Sequence, residues 1–354
     1  MRKIKRILIG MAFFQMTLFS YSQSLDFDMF SAGLDDGLKL FVPYVTPWVD
    51  AFGTDLNGGW YNTAKPHQFG GFDLTFTTSV TIIPESDRMF DLSEIDFQNL
   101  KVVSEGTMAP TVAGITESGP TLRYETNGVT LTQFSSPQGS GLYYFPAPMI
   151  QAGIGLPFGT EIVVRFLPKI KIPRTESSLA LWGIGFKHSI AQHIPGVKKL
   201  PIDISVFGGY TRINSIVGIS AQPINYDHLI EYTPIDFEHQ TINTTTEGYN
   251  ASLIVSTTFP VINVYGSMGY SKSRTLSKIN ANIPVPAYDP LLDLDNPVVR
   301  DEDIIRIPDI DIQNISGLRT TIGARLYLGG LTLHVDYTYA HYSVLTCGLG
   351  ASFR

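Results

Sequence analysis

Hydrophobic and polar positions alternate with a period of two through ten segments of this chain. The closing stretch is the clearest. Leu331, Leu333, Val335, Tyr337 and Tyr339 fall on one face, and Thr332, His334, Asp336 and Thr338 on the other. After a break at Ala340–Ser343, Leu345, Cys347, Leu349, Ala351 and Phe353 alternate with Thr346, Gly348, Gly350 and Ser352. Successive side chains of a strand point to opposite faces, so each run predicts a strand with one apolar face. Eight earlier segments repeat the pattern, with cores at 72–82, 150–154, 161–166, 182–187, 202–210, 249–256, 262–270 and 318–326.

The connections sort themselves by length. Tight turns fall at Leu156-Pro157-Phe158-Gly159, within 194–200, at Phe259-Pro260 and at Gly329-Gly330, while long connections fall at 84–146, 169–178, 214–246 and 272–315. Outer-membrane barrels have short periplasmic turns and longer extracellular loops. If the strand ending at Phe353 finishes in the periplasm, every tight turn lands there too. A chain that stops on an aromatic at the end of an apolar-faced strand resembles the closing strand of such a barrel, the handle expected for barrel-assembly machinery. The predicted fold is all-β: a transmembrane antiparallel β-barrel of ten strands. It becomes twelve if 121–125 and 129–134, either side of Asn127-Gly128, join the wall instead of forming an outer hairpin.

The start of the chain agrees. Arg2, Lys3, Lys5 and Arg6 precede an apolar run from Ile7 to Phe19, then Ser20-Tyr21-Ser22. That predicts a signal peptide over 1–22, too short to span as a helix, with cleavage before Gln23. No cysteine lies nearby, so no lipid-modified N-terminus is expected. Without those four residues, 21 basic side chains face 32 acidic ones, a net charge of −11 that speaks against nucleic acid as a partner. Cys347, the single cysteine, forbids an internal disulfide and reads as a small apolar residue of the last strand.

Residues 23–69 do not alternate. Phe30, Leu34, Leu38 and Phe41 have helical spacing, followed by Pro43, Pro47, Trp48 and the run Asn57–Ala64. This segment is expected at the periplasmic mouth, folded up into the lumen as a plug ahead of a barrel over 70–354. Trp48, Trp60 and Tyr61 are its candidate ligand-binding residues; the alternative is that these aromatics simply fill the barrel.

Several stretches carry a family resemblance: Gly58-Gly59-Trp60-Tyr61-Asn62-Thr63-Ala64-Lys65-Pro66-His67, Gly70-Gly71-Phe72-Asp73-Leu74, Gln151-Ala152-Gly153-Ile154-Gly155-Leu156-Pro157 and Trp182-Gly183-Ile184-Gly185-Phe186-Lys187-His188. Together they resemble a Bacteroidota outer-membrane family, a domain of unknown function (6588). The resemblance implies an exported barrel and brings no activity with it. A looser likeness is to outer-membrane long-chain fatty-acid transporters, which also have an N-terminal hatch but more strands.

Catalytic signals are thin. There is no Gly-x-Ser-x-Gly elbow, phosphate loop or His-Glu-x-x-His pattern. His341 and Ser343 resemble the His-x-Ser of lipid A deacylases, but Val344 stands where that family has asparagine, and no orienting carboxylate is evident. His188 and His193 lack a third metal ligand, and the acidic run Asp289–Asp311 lacks EF-hand spacing, so neither a metal nor a cofactor is expected. Glu161, Arg165, Lys187, Asp203, Arg319, Arg325, His334 and Asp336 share the lumen parity, with both signs present. This suggests a salt-bridged interior. The expected function is binding or passage of a small apolar solute through a plugged lumen, in the outer membrane and in contact with its lipids. The alternatives are a non-transporting scaffold or surface-interaction barrel and, least favoured, an outer-leaflet acyl hydrolase.

Overall fold

All ten alternating segments pair edge to edge in the computed structural model, which describes residues 29–30, 33–126, 129–171, 176–218, 240–284, 304–305 and 307–353. The strands are β1 (Phe72–Ile82), β2 (Tyr144–Leu156), β3 (Thr160–Lys171), β4 (Ser178–Ser189), β5 (Ile202–Gly218), β6 (Thr241–Thr257), β7 (Ile262–Asn280), β8 (Ile310–Leu328), β9 (Leu331–Tyr339) and β10 (Ser343–Phe353). Each pairs antiparallel with its neighbours in sequence, and β1 closes on β10 from Phe72↔Phe353 to Ile82↔Ser343. Closure leaves no unpaired edge, which a sheet in hydrocarbon requires. The predicted signal peptide at 1–22 lies outside the described residues.

The predicted faces are the observed ones. Leu331, Leu333, Val335, Tyr337 and Tyr339 point outward and are exposed, whereas Thr332, His334, Asp336 and Thr338 are buried inside. Cys347 is exposed on the outer face. Along β7, outward Ile262, Val264, Met268 and Tyr270 give way to Lys272 and Arg274. Eight residues of strand cover roughly 27 Å, about 20 Å of height at a 40° tilt, near the ~25 Å apolar band of such barrels. At its upper limit Trp182, Tyr210 and Tyr249 touch in sequence, with ring centroids 5.3 and 5.0 Å apart. Phe72 and Phe353 stack at 5.0 Å at the opposite end, beside the tight turns. Rings at the two ends of the apolar band have the arrangement of interfacial girdles.

The hairpin that left ten or twelve strands open stays out of the barrel. Thr121–Thr126 pairs with Val129–Ser135 on one side and with Leu100–Val102 on the other, in a separate sheet within the long excursion between β1 and β2. The wall is uneven in height. β5 to β8 run for 17 to 19 residues and the other strands for 9 to 13, so the outer connections predicted at 214–246 and 272–315 shorten to 219–240 and 281–309.

One helix, α1 (Leu34–Leu56), lies inside the ring, touching β1, β2, β6, β7 and β8. Its direction corrects the sequence expectation. Leu40 and Phe41, near its start, join a core with Phe30, Leu92, Leu100 and Leu122 of the outer excursion and with Ile279 and Ile310 at the tops of the tall strands. The Asp36 carboxylate accepts the backbone N–H groups of Gln98, Asn99 and Leu100 at 2.7–3.0 Å. The helix therefore begins at the end of the long connections, not at the end of the tight turns where this segment is expected. The chain descends from there, and residues 57–71 continue to the turn end, where β1 starts.

Candidate functional site

The buried chemistry of the molecule lies where this descending segment meets the lumen wall. At the outer rim, Trp48 packs on Phe145 with centroids 6.2 Å apart and clusters with Ala51, Ile83 and Tyr342. The Tyr342 hydroxyl donates to Asp87 Oδ2 at 2.7 Å, and burial, helped by this bond, pushes its ionisation up. Asp50 sits beside them. Burial, and then the charge of Asp87, raise its carboxyl to about 7. Below the rim, Asp55 accepts a hydrogen bond from Thr81 at 2.7 Å.

Midway down, the guanidinium of Arg165 lies 3.6 Å over the Trp60 ring and donates to the carbonyls of Leu56 and Gly58 at 3.0 and 2.5 Å. Phe207 stacks against both Trp60 and Tyr61, at 5.4 and 5.3 Å. Glycines make room for these rings: a Cβ on Gly185 or Gly209 would stand 2.7–2.8 Å from Phe207 and about 3 Å from Trp60. Gly59 turns the chain here with φ +64°, which favours glycine. The structure thus brings Trp60 and Tyr61 together and leaves Trp48 at the rim, in a different cluster. The sequence signal for Phe207 is an aromatic on the inward parity, among Ser205 and Gly209.

A gap of about 10 Å³, room for about one water, lies beside these rings, lined by Asn57, Gly59, Trp60, Tyr61, Arg319, Thr321, Asp336 and Thr338. That is far below the ~300–1,000 Å³ of ordinary small-molecule pockets. Tyr265 donates to Asp336 at 2.7 Å, and Tyr61 shares a hydrogen bond with Ser267 at 2.8 Å. Arg319 is buried, with two of its nitrogens unpartnered. The salt-bridged interior predicted from parity is present, though concentrated lower down. Glu161 takes Lys187 at 2.9 Å on one oxygen, and the ring and backbone N–H of His67 at 2.9 and 2.8 Å on the other.

Ser352 lies 3.1 Å from the other ring nitrogen of His67. Ser352, His67 and Glu161 thus have the connectivity of a nucleophile, base and orienting acid. The serine is only 1% exposed, and Glu161 is shared with Lys187. These bonds fix the end of the descending segment to β3, β4 and β10. The predicted His341 and Ser343 diverge: Ser343 shares a hydrogen bond with Tyr337 at 2.7 Å on the outer face, while His341 turns toward Asp50 at 3.9 Å. His188 and His193 stack at 5.7 Å, and the described residues hold no metal-binding cluster of three or more ligands. Most of the acidic run at 289–311 lies outside the described residues. Its described members Asp309 and Asp311 pair with Lys278 and Arg274.

A model of a family of unknown function, DUF6588, matches residues 1–353. The chain belongs to that family. The DUF6588 barrel matches no curated protein in sequence. Among solved structures it is similar to the outer membrane protease OmpT from Escherichia coli, at 10% identity over 80% of this chain and 97% of that one, with a TM-score of 0.31. It is also similar to the translocator domain of the autotransporter NalP from Neisseria meningitidis (10% identity, 81% and 89% covered, TM-score 0.30). A third is the P. putida toluene transporter TodX (11% identity, 85% and 94% covered, TM-score 0.25). At these scores the likenesses add nothing to what the strand pairing already shows of the DUF6588 barrel.

Proposed function

We propose that this protein is an outer-membrane barrel closed by its own N-terminal segment, serving as a membrane-anchored scaffold that holds a folded surface cap. Export by a signal peptide at 1–22 and insertion by assembly machinery that engages β10 belong to this reading. The observation that carries it is the double fastening of the inner segment. Asp36 and the apolar core hold it at the outer end, and His67–Glu161 hold it at the turn end. A hatch that moves with each transport event would have to break both.

Planar-bilayer conductance of the purified protein tests this. Closed traces at moderate voltage are expected, and steady open channels would overturn the scaffold. A second reading, gated binding or passage of a small apolar solute past Trp60 and Tyr61, is favoured by the aromatic cluster those rings make with Phe207. It requires a specific apolar molecule to co-purify, detectable by mass spectrometry of the extracted protein.

A further inference from the structure

The outer face of the barrel is chemically lopsided above its upper aromatic girdle. Outward positions of β3, β5 and β7 carry Lys169, Lys171, Arg212, Lys272 and Arg274 within five residues of the outward aromatics Phe166, Tyr210 and Tyr270, with Lys278 higher on β7. Register places Arg212, Glu247 and Arg274 side by side across three strands, and Lys272 beside Tyr249. The outward faces of β9, β10, β1 and β2 hold no lysine or arginine at all.

Among the described residues, carboxylates answer only half of this charge. Glu247 accepts from Arg212 at 3.5 Å and from Tyr210 at 2.8 Å, Asp311 pairs with Arg274, and Asp309 lies 2.5 Å from Lys278. Lys169, Lys171 and Lys272 have no acidic partner among the described residues. In a chain that is strongly acidic once its leader is removed, an unneutralised basic arc stands out. Its height also matters. Long basic side chains just beyond the apolar band reach the depth of lipid headgroups while their stems stay in the hydrocarbon edge. Here the band ends at Tyr270, and Lys272 is the next outward residue.

We propose that the arc on β3–β7 binds the phosphate groups of a phosphorylated glycolipid of the outer leaflet, with Lys169, Lys171 and Lys272 as the free cations and Arg212 and Arg274 held in register by their carboxylates. This rests on the outer-membrane reading above. The girdle rings would flank the acyl chains, and the exposed ammonium groups would meet the phosphates.

The test is native mass spectrometry of the full-length mature protein with added lipid A, bisphosphorylated or dephosphorylated. The wild type is expected to retain the bisphosphorylated form at least tenfold better. Lys169→Glu/Lys171→Glu/Lys272→Glu should abolish that preference, while Lys199→Glu, at the turn end, should keep it. Heat-modifiable gel mobility shows that each variant is folded, and single substitutions replace the triple variant if it is not. Equal retention of the two lipids by the wild type, or equal loss in the Lys199 variant, would overturn the proposal. A wild type found outside the outer membrane on density fractionation would overturn the localisation instead, so the two failures are distinguishable.

Discussion

The imidazole of His67 and the carboxylate of Glu161, 94 residues apart in sequence, meet at 2.9 Å inside the barrel. Lys187 holds the other oxygen of the same carboxylate, so three buried groups share one centre. Removing Glu161 would leave the Lys187 ammonium buried without its counter-charge, a loss of about 3–5 kcal/mol. Glu161→Ala is therefore expected to unfold at clearly lower temperature by heat-modifiable mobility. His67→Ala keeps the Glu161–Lys187 pair and should lose less, about 1–3 kcal/mol. Equal behaviour of the two variants would contradict the clamp.

The rings in mid-lumen depend on missing side chains. Gly209→Ala puts a methyl group 2.8 Å from Phe207 and 3.0 Å from Trp60. Overpacking of this kind costs about 1–3 kcal/mol. Gly208→Ala, one residue away with nothing within 4 Å of its new methyl, is the matched control and should be near neutral. Thermal melts of the two variants read the difference directly.

At the outer end, one carboxylate gathers three backbone N–H groups. Asp36→Ala leaves the donors of Gln98, Asn99 and Leu100 without it. Charge-assisted bonds are worth about 1.5–3 kcal/mol each, so the cap should loosen while the barrel stays intact. Limited proteolysis of whole cells should then cut within 92–126 in the variant sooner than in the wild type. Unchanged cleavage would mean that the apolar core alone holds the cap.

Asp50 sets a pH dependence. Its carboxyl is raised to about 7 in the folded protein, from an ordinary value of 3.8. The folded state thus favours the protonated acid, and that contribution, complete below about 4, is lost as pH rises through 7. Asp50→Asn should match the wild type near pH 4 and melt several degrees higher at pH 8. A constant offset between the two melting curves at all pH values would refute this.

Much of the barrel was legible because alternation against lipid is a strict rule: each of the ten strands broke it rarely within the apolar band. Above the band the rule relaxes. Thr244-Thr245-Thr246 has no contrast between faces, so the upper reaches of β5 to β8 carry no strand signal in the sequence. The position of α1 was not legible. Its partners are the inward side chains and backbone groups of remote strands, such as Arg165 to the Leu56 carbonyl and Asn250 to that of Asn57, and no local period marks them. Trp60 and Tyr61 were visible as aromatics in a glycine-rich run. What joins them, Phe207 in a recess made by Gly185 and Gly209, needs the register of β4 and β5 to be known.

The central claim is that the N-terminal segment enters the barrel from outside and runs down to the turn end. Cysteine labelling of intact cells measures it. In a Cys347→Ser background, Asp35→Cys, exposed at the start of α1, should react with a membrane-impermeant maleimide. Phe69→Cys, 77% exposed at the other end, should react only after the outer membrane is permeabilised. The reverse pattern, with position 69 labelled on intact cells and position 35 protected, would contradict the account.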